Sequence, residues 1–367
     1  MNVPKLRFKE FNEEWVYDTF DNLVDIKSNT YNPIKSNADY KCIELEHINQ
    51  NNGTINGYIQ SQEQKSNKNI FKTGEVLFGK LRPYLRKYWL STFDGVCSSE
   101  IWVAKTKNDK LINNKFIFYI FQSHYFLQLC NLSTGSKMPR ADWSFIKEQS
   151  IAIPSINEQI KISNTLELLD KKIELQTKKI EDLKLFKKGL INSLFNNIKN
   201  YNEIKLGKIC SITTGKLDAN AMCDNGRYRF YTCAKNFYYI DTFAFDTEAL
   251  LISGNGAYVG YIHYYKGKFN AYQRTYVLDN FKENILYIKT YLESFLSKRI
   301  NSEKKEGNTP YIVLSTLSDM NIKIPDLKTQ KQIINITTNL NNKIDIEEEL
   351  LTKLQQLKKG LMQNMFV

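Results

Sequence analysis

Ile151-Ala152-Ile153-Pro154 opens a stretch that closes on Lys187-Lys188-Gly189-Leu190 and Phe195. At an offset of 171 positions, Ile322-Lys323-Ile324-Pro325 opens a second stretch that closes on Lys358-Lys359-Gly360-Leu361 and Phe366. Between those ends Gln159/Gln330, Ile162/Ile333, Asn164/Asn335, Leu169/Leu340, Lys172/Lys343, Ile173/Ile344 and Leu183/Leu354 coincide without a gap. In the first copy Ile162, Leu166, Leu169, Ile173, Ile180, Leu183, Leu190 and Leu194 follow alternating steps of four and three, skipping the seam positions Gln176 and Lys187. Ile333, Leu340, Ile344, Leu351, Leu354, Leu361 and Met365 keep the same register in the second. That spacing is the a/d seam of a coiled coil, and each helix is expected to run for roughly 35 residues, about 50 Å.

Polar residues interrupt both seams: Gln176 matches Glu347, Lys187 matches Lys358, and Thr337 adds a break in the second copy. Such breaks cost stability but fix register and partner. Pro154 and Pro325, each followed by a polar stretch, mark the helix starts. Gly189 and Gly360 sit inside the helical pattern, where glycine is unfavourable, and predict a close approach of the helices there. Two matched stripes pair with each other. Copy one leads from one unlike region into another and copy two follows the second, so a pseudo-twofold arrangement makes the helices antiparallel.

The unlike regions carry short strand-like runs with turn punctuation. Tyr40–Leu45, Glu75–Gly79 and Glu100–Ala104 are the runs of the first; Tyr228–Thr232, Ala249–Gly254 and Thr275–Leu278 are those of the second. An aromatic helical stretch follows in each, from Phe116 to Leu129 and from Ile285 to Phe295, and then a polar Gly/Pro loop. The expected fold class is α+β, with two globular domains of mixed β-sheet and short helices separated by an antiparallel pair of long helices. Its boundaries are 1–152 for the first domain, 153–199 for the first helix, 200–323 for the second domain and 324–367 for the second helix.

With 367 residues and 42% hydrophobic content the chain is long enough for two cores. A formal net charge of +12 points to a polyanionic partner. The six cysteines form no Cys-x-x-Cys pair and the three histidines are dispersed, so no metal site is expected and the thiols read as reduced and mostly buried. No apolar leader or 18-residue apolar run occurs; a cytoplasmic location without membrane contact is expected.

The densest basic-aromatic cluster is Lys80-Leu81-Arg82-Pro83-Tyr84-Leu85-Arg86-Lys87-Tyr88-Trp89. Arginine and lysine neutralise phosphates, and arginine also bridges guanine O6 and N7. Lys80, Arg82, Tyr84, Arg86 and Lys87 are therefore DNA-contact candidates, with Ser136, Lys137 and Arg140 as a second loop. In the second region the candidates are Lys216, Arg227, Arg229, Asn255, Tyr258, Gln273 and Arg274, with Lys304, Lys305, Asn308 and Thr309 paralleling the second loop. Gly254, Gly256 and Gly260 are spaced G-x-G-x-x-x-G ahead of a strand-like run, which fails the context of a dinucleotide site. Thr214-Gly215-Lys216 lacks the upstream glycine of a phosphate loop. No H-E-x-x-H, G-x-S-x-G or Asp/Asn-Pro-Pro-aromatic motif occurs, and no catalytic residue is expected.

The order of these features resembles the DNA-specificity (S) subunit of type I restriction–modification systems, over essentially the whole chain. Pro4-Lys5-Leu6-Arg7-Phe8 through Trp15, Gly79 to Lys87, the two Ile-Pro-x(4)-Gln openings and the Lys-Lys-Gly-Leu closings carry the resemblance. It implies two target-recognition domains, each reading half of a split site in double-stranded DNA, with the helices as the spacer between halves. It implies two methyltransferase subunits docked on the helices and two restriction subunits in the full complex. No cofactor is expected in this chain; S-adenosylmethionine, ATP and Mg2+ belong to the partners, and the methyltransferase flips the modified base, usually adenine. The competing expectation is a two-domain DNA-binding regulator or adaptor without methyltransferase partners.

Overall fold

The computed structural model describes residues 3–132, 138–303 and 311–366. Ser136, Lys137, Lys304, Lys305, Asn308 and Thr309 lie outside the described residues. The chain divides into two compact units, Met1–Thr177 with Glu349–Val367, and Lys178–Glu348. Among the described residues no helix is long and apolar enough to cross a membrane.

In the first unit the runs foreseen at 40–45, 75–79 and 100–104 become strands Lys41–Ile43, Val76–Gly79 and Ile101–Thr106. A four-stranded sheet has the order Val24–Asp25, Ile101–Thr106, Val76–Gly79, Tyr88–Leu90. A five-stranded sheet has the order Thr30–Tyr31, Lys68–Phe71, Gly95–Ser98, Lys41–Ile43, Ile59–Gln60. The two-residue period of a strand divides the core. Val76 and Phe78 join the cluster of Phe116, Phe121 and Phe126, while Leu77 turns to Trp89, Ile101 and Val103. The aromatic stretch forms two helices, Asn114–Ile120 and His124–Leu132. Ser123 breaks it, because its hydroxyl accepts the Phe126 amide at 3.2 Å and caps the second helix. Val16–Thr19 pairs antiparallel with Ser150–Ile153.

The second unit repeats this logic. Its six-stranded sheet runs Ser211–Thr214, Thr275–Asp279, Phe245–Ser253, Ile262–Ala271, Tyr228–Tyr231, Tyr238–Ile240. Leu250 and Ile252 face the cluster of Tyr287, Tyr291 and Leu292, and Ala249 and Leu251 face Tyr231, Phe269 and Val277. The helix Ile285–Glu303 sets Tyr287 and Tyr291 edge-on to Phe195. Asn202–Lys205 pairs antiparallel with Asn321–Ile324, the counterpart of the strand pair in the first unit.

The repeat copies are helices of 41 residues, Ile156–Asn196, and 38 residues, Leu327–Asn364. Each begins two residues after its proline. Within each unit their segments run antiparallel. In the first unit Lys358 Nζ lies 2.6 Å from Asp170 and donates to Gln122 Oε1 at 3.0 Å. In the second Lys187 donates to Asn341 at 2.5 Å and Lys179 pairs with Glu347 at 2.6 Å. Asn341 is the repeat counterpart of Asp170, so the matched lysine breaks make matched contacts. Ile162, Leu166, Leu169, Ile180, Ile333, Ile344 and Leu354 are buried; Ile173, Leu183, Leu190, Leu340, Leu351 and Leu361 are half-buried. Gly189 and Gly360 overturn one expectation. Gly189 is exposed and Gly360 half-buried, and a Cβ added at either meets nothing within 4 Å, so they mark no close helix approach.

The repeated glutamines pin the helix starts. Gln159 Nε2 donates to the carbonyls of Pro154 at 2.9 Å and Leu111 at 2.7 Å. Gln330 Nε2 donates to the Pro325 carbonyl and the Glu283 carboxylate, both at 3.1 Å. In the first unit an amino-terminal arm adds to this. The Arg7 guanidinium donates twice to Glu158 at 2.8 Å, and the Leu6 amide donates to the Asn364 carbonyl at 2.8 Å.

Cys42, Cys97, Cys130 and Cys210 are buried, and burial pushes the Cys42 and Cys210 thiols up to about 12. Cys223 and Cys233 are half-exposed. A maleimide probe is therefore expected to label only Cys223 and Cys233 in the native chain and all six after denaturation, read by peptide mass spectrometry. Rapid native labelling at Cys42 or Cys210 would contradict the packing.

Candidate nucleic-acid interface

In the first unit the chain leaves the buried strand Val76–Gly79 and turns back into Tyr88–Leu90 through the basic cluster. The turn is tight. Arg82 has φ 53° and ψ 61°, Arg86 has φ 52° and ψ 52°, and Pro83–Leu85 forms a 3-10 turn between them. The loop is tied to a second one, since the Arg82 amide donates to the Pro139 carbonyl at 2.8 Å and the Ala141 amide to the Lys80 carbonyl at 2.9 Å. Two segments that sequence reasoning treated as separate loops thus form one surface.

Its candidates have different surroundings. Arg82 is exposed, and Tyr84 is 55% exposed at the turn's tip. Lys80 is half-buried; among the described residues neither the Lys80 ammonium nor the Arg82 guanidinium has a hydrogen-bond or ion-pair partner. Arg86 donates to the Gln122 carbonyl at 3.0 Å and Lys87 to the Leu45 carbonyl at 2.5 Å. Burial pushes the Lys87 ammonium below its ordinary value. These two cations fasten the hairpin to its neighbours. Arg140 pairs with Glu100 through Nε at 3.0 Å and Nη2 at 3.1 Å, which offsets its charge locally.

The second unit holds the same turn with different letters. Strand Phe245–Ser253 leaves through Gly254-Asn255-Gly256-Ala257-Tyr258-Val259-Gly260 into Ile262–Ala271. Gly256 at φ 79° and Gly260 at φ 81° stand where Arg82 and Arg86 stand, and Tyr258, 43% exposed, stands where Tyr84 stands. The ties match as well. The bridge Asn255–Tyr311 answers Leu81–Arg140, and the bond from the Gly254 amide to the Arg274 carbonyl at 2.9 Å answers Lys80 to Glu100 at 3.0 Å. Arg274 and exposed Gln273 lie beside this turn, and the Gln273 amide donates to the Leu217 carbonyl next to exposed Lys216.

Two residues that sequence reasoning missed belong here: Lys235, whose ammonium lies 5.3 Å above the Tyr258 ring, and Tyr311, 59% exposed. Lys235 comes from the connection between the paired strands Tyr228–Tyr231 and Tyr238–Ile240, and Tyr311 stands just before the helix Leu314–Ser318, so no shared local pattern signals them. Arg229 and Arg227 are placed otherwise. Arg229 is sandwiched between Phe237 at 4.2 Å and Tyr265 at 4.6 Å, and Arg227 donates to the Asp241 carbonyl at 3.4 Å. Among the described residues no His/Cys/Asp/Glu group could hold a metal ion.

Two mixed-sheet modules with matched turns, joined through an antiparallel pair of repeat helices, define an internally duplicated protein built around a helical seam. The profile of the type I restriction modification DNA specificity domain matches residues 12–185 and 198–356, and the chain belongs to that family. It is 34% identical over 160 residues to the type I restriction enzyme EcoDI specificity subunit of Escherichia coli; the match spans 44% of this chain but only 35% of that protein. A putative type I specificity subunit of Mycoplasma genitalium is 23% identical over 99% of this chain and 96% of its own length. The fold is that of the crystal structure of an S subunit from M. genitalium, with TM-score 0.65 and 19% identity across 100% of this chain and 99% of that one. A chain from a structural study of complex assembly in the type I system matches with TM-score 0.62 and 16% identity over 95% of this chain and 96% of that one.

Proposed function

We propose that this chain reads a bipartite site in double-stranded DNA, one half per unit, and that the long helices set the gap. The observation that carries the reading is the turn made twice: Lys80–Arg86 and Gly254–Gly260 share backbone form and tethering while differing in side chains. A shared scaffold with unlike side chains suits two readers of unlike sequences. Lys80, Arg82, Tyr84 and Arg140 would serve one half-site, and Lys216, Asn255, Tyr258, Gln273 and Arg274 the other. Phosphate contacts would position the chain while base-edge contacts select sequence. Arg86, Lys87 and Arg229 would support these surfaces from within.

Catalysis would lie with partners. Exposed apolar residues on the long helices support docking of two methyltransferase subunits. Leu175 (60%) and Leu357 (52%) stand exposed in the first unit, and Ile346 (65%) and Phe186 (58%) in the second. The repeat equates Leu175 with Ile346 and Leu357 with Phe186, which suits one docking site per unit. S-adenosylmethionine would come with those subunits, ATP and Mg2+ with two restriction subunits, and the complex would work in the cytoplasm.

Co-expression with a type I methyltransferase of the same genome, followed by long-read mapping of modified adenines, tests the proposal. A split motif with a fixed gap is expected. Inserting four residues after Ile153 should lengthen the gap and leave both half-sequences unchanged. An unsplit motif, or methylation by this chain alone, would falsify the reading; altered half-sequences would show that the helices themselves read bases.

A further inference from the structure

We infer that Arg82 is a DNA-contact residue held at the cost of backbone strain, and that the second unit meets DNA at the same point with glycine backbone instead of a cation. The inference rests on the DNA-reading function proposed above. Its starting point is conformational. Left-handed backbone is disfavoured for residues with a Cβ, and a following proline pushes the residue before it toward extended conformations. Arg82 is left-handed and precedes Pro83. The second unit uses Gly256 at that point and Ala257 after it, so the turn itself asks for glycine.

Arg86, the other left-handed residue of the turn, has a role inside the fold through its bond to the Gln122 carbonyl. Arg82 has none: its side chain is exposed and, among the described residues, without a hydrogen-bond or ion-pair partner. The turn uses the Arg82 backbone but not its side chain, and a strained non-glycine residue whose side chain the fold leaves unused points to function. An unpaired guanidinium on the same turn as the exposed Tyr84, with Lys80 two residues before it, suits a DNA phosphate or the acceptor edge of guanine. At Gly256 a Cβ would meet nothing within 4 Å, so the space that Arg82 fills in one unit is open in the other. A backbone free of side chain there lets the duplex come closer.

The test uses the full chain, a fluorescent duplex of mixed sequence and a series of NaCl concentrations, with thermal melting measured without DNA. Arg82→Gly is expected to melt no lower than the native chain. It should bind about tenfold more weakly, with a log K against log salt slope shallower by about one. Gly256→Arg is expected to melt lower yet bind more tightly, with a slope steeper by about one. Native-like affinity and slope in Arg82→Gly would overturn the inference, as would a melting loss of several degrees, which would make the guanidinium structural. A native chain with no salt-dependent binding would sink the DNA-reading function and this inference with it.

Discussion

Arg7→Ala is expected to lower the melting temperature of the chain by about 10 °C. Glu158 is 1% exposed and takes both of its close hydrogen bonds, each 2.8 Å, from the Arg7 guanidinium. Removing one partner of such a pair leaves a carboxylate buried without compensation, at about 3–5 kcal/mol. Replacing both partners by neutral groups of similar shape is far milder, because the desolvation cost disappears with the charges. Arg7→Met combined with Glu158→Gln should therefore recover most of the loss. Limited proteolysis gives an independent reading, since the arm of Arg7→Ala should be cut earlier than that of the native chain. A melting change below about 3 °C in Arg7→Ala would show that the arm contributes little to the first unit.

Gly215→Ala is expected to damage the second unit with comparable force. A Cβ at position 215 would overlap the backbone carbonyls of Ala271 and Tyr272, so no flexible side chain can move aside. The sheet would have to open where Leu217 bridges Tyr272 and where the Gly215 amide donates to the Thr275 carbonyl. A loss of about 3 kcal/mol or more is expected, with hydrogen exchange accelerated in Lys178–Glu348. Gly256→Ala is the contrasting case. It has space for the methyl group, and only its left-handed backbone counts against it, at about 1 kcal/mol. Equal melting of the Gly215 and Gly256 variants would refute the close-approach explanation. Gly215 thereby acquires a reason: Thr214-Gly215-Lys216 has no phosphate loop to form, but it has a strand to pass at backbone distance.

The seam was legible because its cause is periodic. Apolar residues recur in step with the helix, and the polar breaks recur with them, so Lys187 and Lys358 stand out before any contact is known. Strands such as Val76–Gly79 and Thr275–Asp279 were legible for a related reason, as short apolar runs between turn residues. The matching turns were not legible. Their shared property is a positive φ at two positions, and sequence expresses it as arginine in one unit and glycine in the other. The inward roles of Arg86, Lys87 and Arg229 were hidden too, because a cation in a loop or strand reads the same whether it faces solvent, a carbonyl or an aromatic ring. Gly189 and Gly360 misled: a repeated glycine suggested tight packing where there is open space.

The lysine contacts along the seam carry a historical implication. Lys358 reaches Asp170 on the other helix, and Lys187 reaches Asn341, the copy of Asp170. A contact made reciprocally by two copies of one segment is the signature of an isologous interface, the kind found between identical subunits related by a twofold axis. A forebear half this long, with one module and one helix, would have found the same contacts in a second molecule of itself. Gene fusion would then have freed the two halves to diverge. The aspartate and asparagine that now answer the two lysines, and the arginine and glycine of the two turns, are the differences such a divergence would leave.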